Sequence, residues 1–442
     1  MGPKVTAWDW VKKRATLALP RGQLFRSVIT LAGGTALGQV VTVLASPVLT
    51  RLYAPEDFGV LAVYSSVLGI VSVIASLRYE LAIPLPEDDK DAAALLVLSL
   101  GVVTAISLLT GVSVWLLGEQ ITVWANAPAL QPYLWLLPLG VGMVGTYQVF
   151  NYWAIRKGAF GAIARTRLYQ GVGASLTQIS LGFLRVGPLG LLTGQVVGQA
   201  AGITTLAALT HMRDKITLEA MTMARVSDIA RRYQRFPKLS CFSGLINSAG
   251  LQLPALLLAS FYGPQVAGWF ALGQRVVGMP MSLMGQAVAQ AYMGTACHLV
   301  RQNSRELRLF FVKTAVRLFF LGSIPVTLIA VGGPCLFTRL FGTGWGEAGL
   351  YMQVLALMLL PQFVTVPLSQ TLNILEHQDW QLGWDLGRLL LVIGSMCLAY
   401  WLGGTPRQTI VAYSLSMFIA YAVLFSLNVH ILNVRVNNHR ER

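Results

Sequence analysis

Charge is what this sequence has least of. Only 12% of its 442 residues are Asp, Glu, Lys or Arg, where soluble globular domains carry roughly 25%; 55% are apolar and the mean hydropathy is +0.61. A string of soluble domains is excluded by that balance. The four cysteines, Cys241, Cys297, Cys335 and Cys397, stand singly in or beside apolar runs, without CxxC spacing or a loop-borne framework, so neither a disulfide nor a zinc site is expected. The five histidines, His211, His298, His377, His430 and His439, are equally isolated and form no ligand set. No GxxxxGK[ST] loop is present, and the GGTALG cluster follows no strand, which argues against nucleotide hydrolysis and dinucleotide binding. A GxSxG elbow and a Ser-His-Asp set are missing as well. The far-side acids, Glu56, Asp57, Glu119 and Glu347, sit in short loops with no room for a catalytic segment. The reading is of a protein that is not an enzyme and holds no cofactor.

What the sequence has in abundance is apolar runs of around twenty residues, each able to cross about 30 Å of hydrocarbon as a helix. Twelve are read, at 27–49, 59–77, 92–117, 132–153, 168–184, 188–209, 239–261, 265–291, 309–331, 347–373, 384–402 and 408–430. The first is longer than the 7–15 residues of a cleavable signal core and is kept as a span. An even number of spans puts both termini on one side and sorts the loops into two sets. The set without the termini holds only Arg51, Arg185, Arg339 and Arg407, while nearly all other basic residues lie in the set with the termini. Basic loops stay in the cytoplasm, so both termini are expected there. The net charge of +15 is therefore an orientation signal and no indication of nucleic acid.

The longest hydrophilic stretch, 210–238, halves the chain. Across it, YAPEDFGVLAVYSSVLGI echoes YGPQVAGWFALGQRVVGM, so that Tyr53, Pro55, Gly59 and Gly69 meet Tyr262, Pro264, Gly268 and Gly278 at a constant offset. A weaker echo pairs Gln148 and Asn151 with Gln370 and Asn373. Six spans per half make the repeats parallel about an axis normal to the membrane. The expected fold is all-α: two six-helix lobes, 27–209 and 239–430, around a central cavity. A cytoplasmic amphipathic N-terminus (1–26), a basic linker (210–238) and a cytoplasmic tail (431–442) complete it. The proline and glycines of the echo read as structural, since proline starts helices well and glycine lets them approach.

Ionisable residues inside spans cost at least about 2.5–3.5 kcal/mol and usually face protein or a wet cavity. Arg275 is the clearest case. It lies about ten residues into its span with no carboxylate a turn away and with Gln274, Gln286 and Gln290 nearby; ligand contact and an interlobe hydrogen bond are both open to it. Arg317 has Lys313 one turn before it, which also suits snorkelling. Arg388 can pair locally with Asp385. Arg78 and Glu80 close the second span as an interfacial pair or as the mouth of the cavity. Gln148, Asn151, Gln370 and Asn373 belong to a larger set of amides, Gln178 included, that could bind hydroxyls or join helices. Taken together, positive charge and amides predict an anionic, hydroxyl-rich ligand.

The blocks LTRLYAPEDFGVLAVYSSVLGI, SLRYELAIPLPEDDKDAAALLVLSL, YQVFNYWAIRKGAFGAIARTRLYQG, QRVVGMPMSLMGQA and LFGTGWGEAGLYMQVLALMLLPQFVTVPLSQTLNILEHQ resemble the bacterial polysaccharide-biosynthesis (O-antigen, Wzx-type) flippases. These belong to the multidrug/oligosaccharidyl-lipid/polysaccharide exporter superfamily, and the likeness runs from about Arg26 to His430. It implies a V-shaped, alternating-access transporter in the bacterial inner membrane. The implied cargo is an undecaprenyl-diphosphate-linked oligosaccharide, moved to the periplasmic leaflet and held by cavity arginines, which by position are Arg78 and Arg275, then Arg317 and Arg388. A polysaccharide polymerase, a chain-length regulator and membrane lipids are the partners the resemblance implies. It further implies coupling to protons or sodium, although no unpaired Asp or Glu lies deep in a span. Two other readings stay open: an ion-coupled drug exporter of the same superfamily, and a non-transporting scaffold of a synthesis complex docked through 210–238.

Overall fold

Inside hydrocarbon a backbone N–H or C=O finds no water, so long apolar runs must close their own hydrogen bonds. The computed structural model, which describes residues 23–124, 126–219, 223–302, 304–375 and 377–438, does this with helices and contains no strand among those residues. The predicted N-terminal segment up to residue 22, residues 220–222 of the basic linker and the tail from 439 lie outside the described residues.

In the first half of the chain the helices are α1 (Gln23–Leu52), α2 (Pro55–Val71), α3 (Asp89–Trp124), α4 (Leu136–Arg156), α5 (Phe160–Phe183) and α6 (Pro188–Glu219). A short amphipathic helix, α7 (Met223–Arg232), and a π-helical turn at Phe236–Ser240 lead into the second half. There α8 (Cys241–Tyr262) precedes α9 (Pro264–Gly273), which a π-helical turn at Gln274–Gly278 joins to α10 (Met279–Gln302). The chain ends with α11 (Ser304–Phe341), α12 (Gly346–Leu368), the single turn α13 (Gln370–Ile374), α14 (Gln378–Trp401) and α15 (Pro406–Asn438). Among the described residues, seven helical stretches are long and apolar enough to cross a membrane by length and composition. Large apolar side chains such as Leu108, Trp115, Phe320, Ile324 and Val331 cover the outside, an arrangement suited to lipid.

The boundaries differ from the sequence reading in instructive ways. The second run was expected to stay helical to residue 77, but α2 ends at Val71. Beyond it the backbone tightens into i→i+3 turns, with Leu77 and Arg78 at φ 49° and 62°; apolarity does not distinguish such turns from an α-helix. The polar stretch 292–308, read as a loop, is helical on both sides of residue 303, because its Leu, Arg, Gln and Glu are good helix formers whatever their polarity. The run 347–373 is interrupted near Ser369, after Pro367.

Packing pairs recur in the two halves. Helix α1 lies on α5, α3 on α4, α4 on α6 and α5 on α6; in the second half α8 lies on α14, α11 on α12, α12 on α15 and α14 on α15. The echo found in the sequence meets itself in space. Helices α2 and α9 cross so closely that a Cβ on Gly59 would run into the carbonyl of Pro264, and one on Gly268 into the carbonyl of Pro55. The contact is reciprocal, as a two-fold relation between the repeats requires. Each copy's tyrosine ties down a neighbouring turn: the Tyr53 hydroxyl donates to the carbonyl of Gln178 at 2.6 Å, and that of Tyr262 to the carbonyl of Gly404 at 2.7 Å. The copies differ at one backbone position, where Ala54 is extended and Gly263 takes φ 87°, a conformation glycine adopts at little cost.

Gly59→Ala and Gly268→Ala are each expected to cost about 1–3 kcal/mol through overpacking. Because both methyl groups push apart the same two helices, the double variant should cost less than the sum; thermal unfolding in detergent measures both effects.

Candidate functional site

Arg51, Arg185, Arg339 and Arg407 stand at or beside the ends of α1, α5, α11 and α15, which gather at one end of the bundle, where Tyr53 packs on Gly182 and Gly190 and Arg407 pairs with Glu347. There the Trp345 indole donates to the carbonyl of Thr50 at 3.1 Å and stands edge-on to Phe58 at 4.9 Å. Nearby, the Ser260 hydroxyl donates to the carbonyl of Trp124, and the Asn126 amide to that of Ser260. All of these join the first half of the chain to the second. Together with the Gly59–Gly268 crossing they close this sparsely charged end. Further along the seam, the Ser248 hydroxyl donates to the carbonyl of Gly69 at 3.0 Å, and Gln252 packs against Gly69.

Among the sequence-predicted arginines, Arg275 lies deepest in the junction. It belongs to the π-helical turn after α9, an insertion that widens a helix and is frequent at functional sites. Its Nη2 donates to Oε1 of Gln178 across the junction at a long 3.4 Å, and its buried Nε has no acceptor. A guanidinium can donate five hydrogen bonds, so this one is under-satisfied. Gln274 shares the turn and packs against Gly278.

Arg78 occupies the left-handed backbone position just before the 3₁₀ turn Tyr79–Ala82. Its guanidinium presses on Gly244 of α8, where any side chain would collide with it, and its Nε is also buried without a partner. Glu80 lies 3.9 Å away and is only 1% exposed. Ser76 donates a hydrogen bond to the Glu80 carboxylate. Burial raises the proton affinity of that carboxyl, while the Ser76 hydrogen bond and, more weakly, Arg78 lower it. Tyr152 and Cys241 are within electrostatic reach of the pair.

The other candidates fall elsewhere. Arg388 pairs with Asp385 at 3.2 Å and stacks on Trp384 at 4.7 Å, the local neutralisation that its spacing allowed. It borders a cavity of about 370 Å³ between α14 and α15, lined by Trp380, Leu391 and Val423 among others. Arg317 is exposed on α11, and Gln148 is partly buried on α4. Asn151, one turn on, has a buried Oδ1 without a partner. Asn373 donates to Gln370 at 3.2 Å, so one group of each amide is taken by the other. No described contact joins any of the four arginines to another. Gly244 and Ser76 carried no signal in the sequence, because a glycine and a serine in apolar runs are ordinary helix-packing residues. Gln178 was visible only as one amide among many.

At the opposite, basic end, acidic residues at the start of α3 hold the surrounding segments. Asp89 accepts from Arg156 at 2.8 Å and from Lys157 at 2.9 Å, and Arg225 of α7 reaches both Asp88 and Asp91. Arg156 also donates to the carbonyl of Pro86. The Tyr79 hydroxyl donates to the carbonyl of Ala230, and Ile229 is buried beside Tyr79 and Ile83, so α7 is clasped to the first half.

This geometry is that of an all-α, multi-pass membrane protein whose two halves meet over two arginines that each bury an Nε. Residues 48–349 match the family described as polysaccharide biosynthesis protein, and the chain belongs to that family. It is 23% identical to the succinoglycan biosynthesis transport protein ExoT of Rhizobium meliloti, over 90% of this chain and 80% of that protein. The fold is similar to that of the lipid II flippase MurJ in an inward closed conformation, with a TM-score of 0.73 and 12% identity over 92% of this chain and 90% of that one. It is also similar to an inward-facing multidrug resistance MATE transporter of the MOP superfamily, with a TM-score of 0.71 and 16% identity over 90% and 95%.

The carboxyls of Asp89 and Asp88, which lie outside the apolar run of α3, are held below their usual range. For Asp89 the main cause is its hydrogen bonds from Lys157 and Arg156; for Asp88 it is the backbone N–H of Lys90, then Arg225. Groups shifted down stabilise the fold at pH values above their unfolded range and lose that contribution as pH falls through the folded value. Thermal stability in detergent should therefore drop as pH falls below the ordinary carboxylate range, and the Asp88→Asn/Asp89→Asn variant should show a shallower acid dependence.

Proposed function

We propose that this protein is a flippase for undecaprenyl-diphosphate-linked oligosaccharides in cell-surface polysaccharide biosynthesis, working by alternating access in the bacterial inner membrane. The observation that carries the reading is the pair of under-satisfied guanidiniums. Arg275 and Arg78 each bury an Nε without an acceptor at the junction of the two halves. A diphosphate brings several charged acceptor oxygens in a geometry that guanidinium groups match well. Amides within the spans, Asn151 with its unpartnered Oδ1 among them, suit sugar hydroxyls. Membership of the polysaccharide biosynthesis family and the flippase named among the structures of similar fold support the same substrate class.

In the proposed arrangement twelve helices span the membrane, six in each of two lobes (27–209 and 239–430), with the basic stretch 210–238 as linker. The basic end faces the cytoplasm, with both termini there, because the loop charges are so unevenly divided. Basic residues at that end would gather anionic headgroups at roughly 1 kcal/mol each near the surface. The sealed, sparsely charged end is then periplasmic, so the conformation is one that admits substrate from the inside. A headgroup entering between the lobes meets the arginines while its prenyl tail stays in lipid, and parting of the Trp345–Thr50 and Asn126–Ser260 contacts releases it outside. A polymerase and a chain-length regulator would take the product onward. Export of small cations on the same fold is disfavoured, since the acid within the spans, Asp385, is paired with Arg388.

Translocation of a fluorescent prenyl-diphosphate oligosaccharide in proteoliposomes tests the reading. Removing one charge-assisted partner costs roughly 1.5–3 kcal/mol, so Arg275→Ala and Arg78→Ala should each lower headgroup affinity by about 10- to 150-fold, with translocation at sub-saturating substrate reduced accordingly. Unchanged transport by both variants at equal protein levels would refute the assignment.

A further inference from the structure

Gln178 has three connections, and one of them orients its side chain for another. On α5 and only 1% exposed, it donates from Nε2 to the carbonyl of Leu191 at 3.1 Å, which determines which way its amide points. The Oε1 is left facing Arg275; turned over, the amide would set its N–H groups against the guanidinium, donor against donor. Its backbone carbonyl accepts from the Tyr53 hydroxyl at 2.6 Å. Tyr53 begins the turn that leads to Pro55 and Gly59, and Gly268 lies on α9, two turns before Arg275. The residues at either end of the Gln178–Arg275 hydrogen bond are thus attached to the two helices whose crossing helps to seal the sparsely charged end.

We propose that Gln178 is a positioning residue that ties the two halves together while the site is empty, and that an anionic headgroup binding Arg275 breaks the tie. The proposal rests on the reading of Arg275 as an anion site. The existing bond is 3.4 Å long and its acceptor is a neutral amide, whereas a phosphate brings its own negative charge, accepts from a guanidinium at about 2.7–2.9 Å and can take two parallel bonds from it. The phosphate therefore wins the guanidinium. Once Gln178 is released, the Trp345–Thr50 and Asn126–Ser260 contacts must hold the end closed without it. Occupancy is converted into opening because the ligand favours the state in which Arg275 has left Gln178. Arg275 stands in the π-helical turn between α9 and α10, an irregularity frequent at functional sites.

The test reads opening directly. Spin labels at Arg51→Cys and Thr343→Cys, both exposed and on opposite sides of the Thr50–Trp345 contact, report the distance between the halves in a background with the four native cysteines replaced. Farnesyl diphosphate serves as probe and farnesol as its uncharged control. In otherwise wild-type protein, farnesyl diphosphate and not farnesol should raise the long-distance population. Gln178→Leu should raise the ratio of long to short distances about tenfold without any probe, the loss of one hydrogen bond to a charged group. Gln178→Glu, which pairs a carboxylate with Arg275, should lower that ratio and demand more probe to open. Opposite effects of these two substitutions separate a tie from a merely packed side chain.

If Gln178→Leu leaves the empty protein as closed as wild type, or if Gln178→Glu opens it as Gln178→Leu does, the tie is overturned and the anion site stands. If farnesyl diphosphate fails to bind the wild type, read as an absent thermal shift, the anion-site reading falls and the release step with it.

Discussion

Everything in this structure is arranged around one close crossing, where α2 and α9 meet through Gly59 and Gly268. Lipid tails are as apolar as leucine, so helices in a membrane gain nothing from hiding apolar surface and must find their affinity in van der Waals contact and hydrogen bonds. Two glycines that remove the side chains at the contact let the backbones touch. The Tyr-x-Pro turn before each helix then fixes where it starts, and the two tyrosines anchor a helix on one side, at Gln178, and an inter-helix connection on the other, at Gly404. From that crossing the same set of helix pairs is laid down in each half.

The two ends of the bundle are built from different interactions, and the difference has a physical logic. The sparsely charged end joins the halves by an indole, a serine hydroxyl, an asparagine amide and aromatic edges. These neutral contacts of modest strength can part and re-form at small cost. At the basic end the acids that open α3 fasten Arg156, Lys157 and Arg225 in a network of charged pairs, which binds α7 to the first half and so defines the point from which the second half departs. Between the ends lies Arg275, and beside the basic end Arg78, each with a buried Nε that the protein itself leaves without an acceptor.

How far the sequence could be read depended on whether the signal was periodic or singular. Apolar runs are long and statistically robust, and each predicted run falls for most of its length on helix. Their ends were less legible: the tightened turns after Val71 continue an apolar run in a different backbone conformation, and the helix between residues 292 and 302 continues as helix where polarity suggested a loop. The local pair of Asp385 and Arg388 was visible because it depends on spacing within one helix. Gln370 and Asn373 have the same spacing, but as uncharged amides they read as two ligand groups, and the structure turns them toward each other.

By itself, then, the sequence determined what a local, repeating pattern can determine: a membrane chain of helices, an uneven division of loop charge, a repeat marked by Tyr-x-Pro-x3-Gly, and four arginines costly enough in lipid to need a reason. Only the tertiary structure decided which of those arginines has partners. Arg388 finds a carboxylate one turn away, whereas Arg275 meets a glutamine nearly a hundred residues distant in the chain and Arg78 meets a glycine from the other half. Charge and apolarity are properties of single residues and their near neighbours. Whether a guanidinium is satisfied depends on what two separate halves of the chain bring to the same place, and no local pattern records that.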